Sequence, residues 1–529
     1  MSSHHDVDIA IIGAGVSGVY AAWRLLTEDA SRRVAVFEGS DRVGGRLLSV
    51  TPPHIPYMVA ELGGMRILPT VQPRIARLLD VLNDGAANDD DRIETYPFPV
   101  DQLQNIAYLR GVHLRLQDFT DAPHEVPYHL TFQEFGKTVG DLVINAIEQL
   151  VPGITNKKRT EEERRTMAQA ARFDGTPLYQ QGFWQVLMRV LSGEAYQLAI
   201  AAGGYETTLS NWNAADAIPW FLSDFGVDPE YQGFQQGFQQ VPLTLAERVA
   251  AAGGALHCNR CLTGFDRDGD AITLRFQDGG TVTAGAAILA MPRRSLDLLV
   301  PHSPILQDPD TTQLIASVTP RPLFKLFTTY LEPWWLPAGV KKGRTTTDLP
   351  IRQTYYWPRI NGKPARKGRA MLMASYDDGL NIGFWDGFRP KRGQIWCGPL
   401  DPSSTTLDWF EPTRREADPA SIAWDQYQAP AAMVAEVQRQ LAEIHGLQYV
   451  PDPEEASFKD WGDDPFGGGW NSWNIGVKSW EVKEAILQPV SAVPVYVCGE
   501  AYSDAQGWVE GALQTADLML EKHFGIEPL

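Results

Sequence analysis

"VDIAIIGAGVSGVYAAWRLL", residues 7–26, decides how the rest of the chain is read. Its opening run Val7–Ile12 has the length and apolar content of a buried strand. A glycine turn follows, and beyond it apolar residues recur at three- and four-residue spacing, as on one face of a helix. Gly13, Gly15 and Gly18 stand at G-x-G-x-x-G spacing. In that pattern the first glycine permits the tight turn, the second lets backbone approach a pyrophosphate, and the third brings helix and strand close. The start of the helix then aims free N–H groups and the positive end of its dipole at the phosphates. The next strand, in "RRVAVFEGS" (residues 32–40), ends at Glu38, where an acid can accept both hydroxyls of an adenosine ribose and disfavours a 2′-phosphate. Strand, turn, helix and strand in this order predict a Rossmann-like nucleotide-binding unit.

The 529 residues exceed one compact core, so further units are expected. A hydrophobic fraction of 44% and a charged fraction of 21% are those of a globular protein that folds in water. The net charge of −19 at pH 7 argues against a nucleic-acid partner and against docking on an anionic membrane. It also means that an anionic substrate must be caught by a local positive group working against the field of the whole molecule. No run of 18 apolar residues predicts a spanning helix. The first residues, "MSSHHDVDIAIIGAG", carry no basic segment followed by an apolar core, so a cytoplasmic location is expected. Cys258, Cys261, Cys397 and Cys498 do not suggest a disulfide framework. The C-N-R-C at 258–261 lies in a segment read as extended, with no second pair or clustered histidines, so neither redox nor metal chemistry is expected there.

Two further stretches separate flavin from nicotinamide. "DRVGGRLLS" (41–49) places a second glycine pair and two arginines, Arg42 and Arg46, just past the acid. "VPVYVCGEAYSDAQGWVEGALQTADLML" (493–520) reads as a strand, a Gly-Glu turn, a loop and an amphipathic helix. With these segments the chain resembles the flavin-containing amine oxidase superfamily over nearly its whole length. The resemblance implies FAD. It assigns Gly13, Gly15, Gly18, Glu38, Gly45 and Arg46 to the ADP half and the backbone near Leu262 to the adenine. Met65, Arg66, Glu500, Trp508 and Val509 go to the flavin half. Glu500 is expected near the ribitol or pyrophosphate and Trp508 beside the isoalloxazine. The helix from about Val509 would face the flavin pyrimidine edge, where its dipole stabilises negative charge. Trp508 read without the resemblance is equally a core residue of a terminal helix.

The implied fold class is α/β with α+β character. A Rossmann-like FAD-binding domain is assembled from 1–70, 235–320 and 456–529. A sheet-plus-helix substrate domain takes 71–130 and 321–455, and 131–234 is a helical insertion. Strands are expected at "LFKLFTTYL", "RQTYYWP" and "RAMLMASYD", and a helix at "PAAMVAEVQRQLAEIHG".

"VAELGGMRILP" (59–69) puts a lone arginine, Arg66, among apolar residues. A buried guanidinium needs a partner anion, which could be an internal acid such as Glu61 or a bound ligand. Within the superfamily this segment is similar to that of the L-amino acid oxidase branch, where the arginine clamps the substrate α-carboxylate bidentately. The same resemblance gives Tyr376 a second bond to that carboxylate. Lys325 is expected to reach flavin N5 through water and to promote oxygen reaction, a snorkelling surface lysine being the plainer alternative. Trp470, in "WGDDPFGGGWNSWN" (461–474), would lie beside the substrate side chain and favour large apolar or aromatic amino acids. Asp463 and Asp464 are read as solvated loop acids that would favour a basic side chain only if turned inward. The expected activity is that of an FAD-dependent L-amino acid oxidase using O2 and releasing a 2-oxo acid, ammonia and hydrogen peroxide. The alternatives are an amide-forming amino acid 2-monooxygenase and a monoamine or polyamine oxidase. A homodimer is expected by family analogy.

Overall fold

A computed structural model describes residues 5–88, 91–225, 230–389 and 423–529; Cys397 and the rest of the substrate segment 390–422 lie outside the described residues. Val7–Ile12 is the strand its apolar run predicts, with Val34–Phe37 parallel on one side and Thr281–Ala290 parallel on the other. The sheet runs in the order Ala255–His257, Val34–Phe37, Val7–Ile12, Thr281–Ala290, Ala271–Phe276, Leu262–Asp268. Thr281–Ala290 is long enough to use two partners along its outer edge. Its first half pairs antiparallel with Ala271–Phe276, and its last four residues pair parallel with Val495–Cys498. Strands from the beginning, middle and end of the chain therefore share one sheet.

Gly13 ends the first strand with φ +108° and donates its N–H to the Phe37 carbonyl. The helix that follows, Val16–Glu28, lies very close to that turn. A Cβ on Gly18 would fall 1.9 Å from the Gly13 carbonyl oxygen and 3.1 Å from the Ala290 Cβ. Val16–Glu28 also packs with the terminal helix Val509–Phe524 in one apolar cluster containing Val19, Ala22, Leu513, Ala516 and Leu520. The Tyr20 hydroxyl also donates to Asp517 Oδ1 across this contact at 2.6 Å.

The second sheet has the order Glu455–Asp460, Leu323–Tyr330, Ala370–Asp378, Gln353–Tyr356, Gly343–Thr347, Ile106–Leu109, Val112–Arg115. Its strands alternate strictly at first. Phe324, Leu326, Leu372 and Ala374 meet the helix Ala431–Ile444 through Val434, Val437 and Leu441, while Phe327, Met371 and Met373 face Leu62 and Met65 of the nucleotide domain. A bulge then breaks the alternation. Leu326 opposes Ser375 but Phe327 opposes Met373, and the neighbouring strand shows the same slip between Gln353 and Tyr355. The extra residue inverts the faces of the strand beyond it, so Tyr376 joins Lys325 on the side facing the nucleotide domain. Glu455–Asp460 pairs throughout with Leu323–Tyr330, so the expected boundary at 456 falls inside a strand of the substrate sheet.

The segment 131–234 is mainly helical, and Val139–Leu150, Gly193–Gly203 and Ala214–Phe225 contribute to one buried cluster. The charged run near 155–170 forms the solvated helix Glu161–Ala170, opened by a capping box of Thr160 and Glu163. Among the described residues no helix is long and apolar enough to cross a membrane. The contact at Gly18 gives a direct stability test. Gly18→Val is expected to cost about 1–3 kcal/mol or more by overpacking and to reduce bound flavin, read by denaturant unfolding and the absorbance of the purified protein.

Candidate active site

A cavity of about 580 Å³ runs past the carboxyl ends of the first sheet and reaches the inner face of the second. It is lined by Gly13, Gly15, Glu38, Gly45, Arg46 and Leu262, and further along by Met65, Arg66, Lys325, Tyr376, Trp470, Glu500, Trp508 and Val509. Gly18 alone among the expected residues does not line it, because its part is the close packing of helix on strand.

The nucleotide end is built from bare backbone. Helix Val16–Glu28 starts at Gly15 without a side-chain cap, and Val16 and Ser17 line the cavity, so the first turn offers its N–H groups to whatever lies there. Gly44 and Gly45 have φ of +127° and +57°, and a Cβ on Gly45 would meet the Gly15 Cα at 3.1 Å. Glu38 is fixed in the wall by bonds from the Ala14 N–H (2.7 Å) and from the Ser40 N–H and hydroxyl (2.9 and 2.8 Å). The terminal helix likewise begins at Trp508 without a side-chain cap, with Val509 and Ala512 in the lining. Two uncapped helix starts, a glycine cradle and an acid at the strand end fit the pyrophosphate, ribose and flavin of FAD. Arg46 and Glu500, expected to meet the cofactor separately, are joined in an ion pair. Glu500 also accepts from Asn471 at 2.6 Å and from the Gly507 N–H at 2.8 Å, so it ties the two glycine-rich segments together.

The loop before Trp470 departs from its expected reading. Asp464 is not solvated: it lines the cavity and accepts from Lys459 at 2.9 Å and from the Phe466 N–H at 3.0 Å. The loop folds back over the nucleotide end, with Phe466 against Gly39, and this covers the carboxylate. Asp463 stays half exposed and pairs with Arg389.

At the far end Arg66 is only 6% exposed. It donates to the hydroxyls of Tyr355 (3.2 Å) and Tyr205 (3.4 Å), and its guanidinium stands 4.0 Å over the Tyr231 ring. Glu61 is not its partner, since that carboxylate accepts from the Ser49 hydroxyl at 2.6 Å and the Phe238 N–H at 2.7 Å. Burial works against the charge on Arg66, yet the oxygens of Tyr355, Tyr205 and Tyr231 and the Asp224 carboxylate hold it well above its ordinary range. Lys325 is buried rather than snorkelling. Its Nζ donates to the carbonyls of Glu61 (3.0 Å) and Gly63 (2.5 Å) and lies 4.9 Å from the Tyr376 ring centre. Burial brings its amine down to about 7, against the pull of Glu61 and with the push of Arg66. The same burial lifts Glu61 to about 7, opposed by its two hydrogen bonds and by Lys325.

Aromatic rings close the walls. Trp470 stacks on Trp220 with centroids 5.6 Å apart, and Tyr205 meets Tyr376 edge-on at 5.5 Å. Tyr205, Tyr231, Tyr355, Trp220 and Asp224 carry no sequence signal beyond composition, although Tyr355 falls in the run RQTYYWP read as a strand. Together these groups can hold a carboxylate against a planar cation, exclude water, and present a lysine to a flavin.

The model of the flavin containing amine oxidoreductase family matches residues 16–387 and 408–518. Aplysianin-A of Aplysia kurodai is 27% identical over 98% of this chain and 90% of its own length. Achacin of Lissachatina fulica is 26% identical over 98% and 93%. A putative L-amino-acid oxidase, YobN, of Bacillus subtilis is 24% identical over 86% and 89%. Among solved structures, a mutant of putrescine oxidase from a redesign of cofactor binding superposes with a TM-score of 0.68 at 18% identity, covering 98% of this chain and 99% of that one. The wild type bound to putrescine gives 0.65 at 19% identity, with coverage of 98% and 99%, so the fold is shared.

The buried lysine can be observed directly. In protein labelled at the lysine ε-carbon, one resonance is expected to titrate near pH 7 and to be missing from Lys325→Met, while the exposed lysines titrate near ~10.4.

Proposed function

This chain belongs to the flavin containing amine oxidoreductase family, and from that premise we propose that it is an L-amino acid oxidase. The observation that carries this reading is Arg66, a charged guanidinium buried beside the cavity, with phenol hydroxyls as its hydrogen-bond partners, Asp224 held off behind Tyr231 and Glu61 turned away. A buried cation so placed is poised for an anion that arrives with the substrate. The Bacillus subtilis relative named as a putative L-amino-acid oxidase supports the same reading.

The lining of the cavity supports a role for each of these residues. Arg66 takes both oxygens of the α-carboxylate through its planar fork, and the Tyr376 hydroxyl adds a third bond. The stacked pair of Trp470 and Trp220, with Tyr205, excludes water and favours large apolar or aromatic side chains. Gly13, Gly15, Gly45 and Glu38 would hold the ADP half of FAD, Leu262 would meet the adenine, and Met65, Trp508 and Val509 would border the flavin. FAD, when bound, supplies the hydride acceptor and passes two electrons to oxygen. Two of the donor positions of Lys325 are taken by carbonyls, so the third serves the cavity and can hold or release a proton near neutral pH. The overall change is amino acid, oxygen and water to 2-oxo acid, ammonia and hydrogen peroxide, with positioning as the protein's main contribution.

The test is peroxide release measured against the twenty L-amino acids and a set of simple amines. L-Amino acids with large apolar side chains are expected to turn over. Arg66→Met is expected to lose roughly 10³-fold in kcat/KM for them, as removal of one partner of a buried charge pair implies, while keeping its flavin. Turnover confined to amines without a carboxylate, or amide and carbon dioxide as products, would overturn the assignment.

A further inference from the structure

Behind the ring that carries the Arg66 guanidinium stands an acid. The Tyr231 hydroxyl donates to Asp224 Oδ1 at 2.9 Å and to the Asp224 carbonyl at 3.1 Å. Asp224 is 6% exposed, lines the cavity, and lies in the last turn of helix Ala214–Phe225. That is a costly place for a carboxylate, because burial and the negative end of the helix dipole both oppose its charge. Burial does raise its pKa, with Arg66 first among the groups that pull it back down, followed by the Tyr231 hydroxyl and Arg344. The other nearby acids are committed elsewhere. Asp378 accepts from the N–H groups of Glu206 and Thr207 at 2.8 and 2.9 Å and from the Thr207 hydroxyl. Glu61 holds Ser49 and Phe238, and Asp101 holds Arg344.

We propose that Asp224 is the resting counter-ion of Arg66, a positioning residue that acts across Tyr231 and competes with any incoming carboxylate for the same guanidinium. The proposal rests on the reading of Arg66 as the carboxylate clamp and adds a selectivity to it. A zwitterionic amino acid brings its own ammonium into the site and is nearly neutral to the field of Asp224. A bare carboxylate brings only negative charge and is repelled. The 2-oxo acid product is such a carboxylate, so Asp224 favours entry of the amino acid and exit of its oxidised form.

The test is calorimetric binding of 3-phenylpropanoate to the flavin-loaded protein, together with inhibition by the 2-oxo acid during turnover. Asp224→Asn is expected to tighten 3-phenylpropanoate roughly ten-fold, the size of a screened unit charge acting across one intervening ring. Product inhibition should strengthen in parallel, with a much smaller change in KM for the amino acid. Asp224→Ser provides a second neutral replacement should the asparagine variant fold poorly, with melting temperature and bound flavin as the checks. Tyr231→Phe removes the hydroxyl bond but keeps the charge and is not expected to tighten binding. In an Arg66→Met background Asp224→Asn should have no effect. An unchanged or weaker affinity in a folded neutral variant overturns the proposal, as does an equal gain in Tyr231→Phe or a gain that survives without Arg66. Selective loss of lysine and arginine as substrates would instead make Asp224 a side-chain subsite, and also overturns it. Failure of the clamp itself is visible separately, as undiminished binding of 3-phenylpropanoate by Arg66→Met alone.

Discussion

One ten-residue strand, Thr281–Ala290, gives the nucleotide site its shape. It takes hydrogen bonds from Val7–Ile12 on one edge, and from Ala271–Phe276 and then Val495–Cys498 on the other. The glycine turn at the start of the chain and the Gly-Glu turn near its end are therefore delivered side by side, although 486 residue numbers separate Gly13 from Gly499 (499 − 13). The Ala290 carbonyl at the tip of that strand lies so near Gly13 that a Cβ there would approach it to 2.5 Å. The ion pair of Arg46 and Glu500 then joins the second glycine segment, 41–49, to the Gly-Glu turn. Each of these contacts presupposes the register of the shared strand.

The far end of the cavity is governed by buried charge. Arg66, Lys325, Glu61 and Asp224 are all nearly inaccessible, and water offers none of them relief. Each is handled differently. Glu61 is satisfied by one hydroxyl and one N–H, Lys325 by two backbone carbonyls, Asp224 by a phenol, and Arg66 by two phenols and the face of a third. Neutral partners blunt the cost of burial without cancelling charge, which leaves the cations responsive to what enters. Burial pushes the Lys325 amine down and the Glu61 carboxyl up, and these opposite displacements are the outward sign of that arrangement.

How far the sequence could be read depended on how local the physics was. Gly13, Gly18 and Glu38 were legible because a strand–turn–helix with an acid at the next strand end is settled within about thirty residues by backbone sterics. The strands Leu323–Tyr330 and Ala370–Asp378 were legible from their apolar runs. Tyr231 and Asp224 were not, because their meaning comes from an arginine more than 150 positions away (224 − 66 = 158). Asp464 was misread for a related reason: its loop looks like a polar surface turn until it folds over the nucleotide end and finds Lys459. The pairing of Arg46 with Glu500 is likewise hidden, since each residue in its own segment suits a ligand as well as it suits the other.

The bulge in Ala370–Asp378 has a consequence for how such a site changes over descent. Strict alternation would put Tyr376 and Asp378 on the face covered by helix Ala431–Ile444, with Met371 and Met373 opposite them. One additional residue exchanges the two faces for the end of the strand only. An insertion or deletion of a single codon near Ala374 and Ser375 would thus replace the whole lining contributed by this strand in one step, leaving the hydrophobic layer upstream intact. Lineages that keep or lose the extra residue can arrive at different cavity chemistry without any substitution inside the cavity. Counting along the strand from one relative to another then mistakes the neighbour of a functional residue for the residue itself.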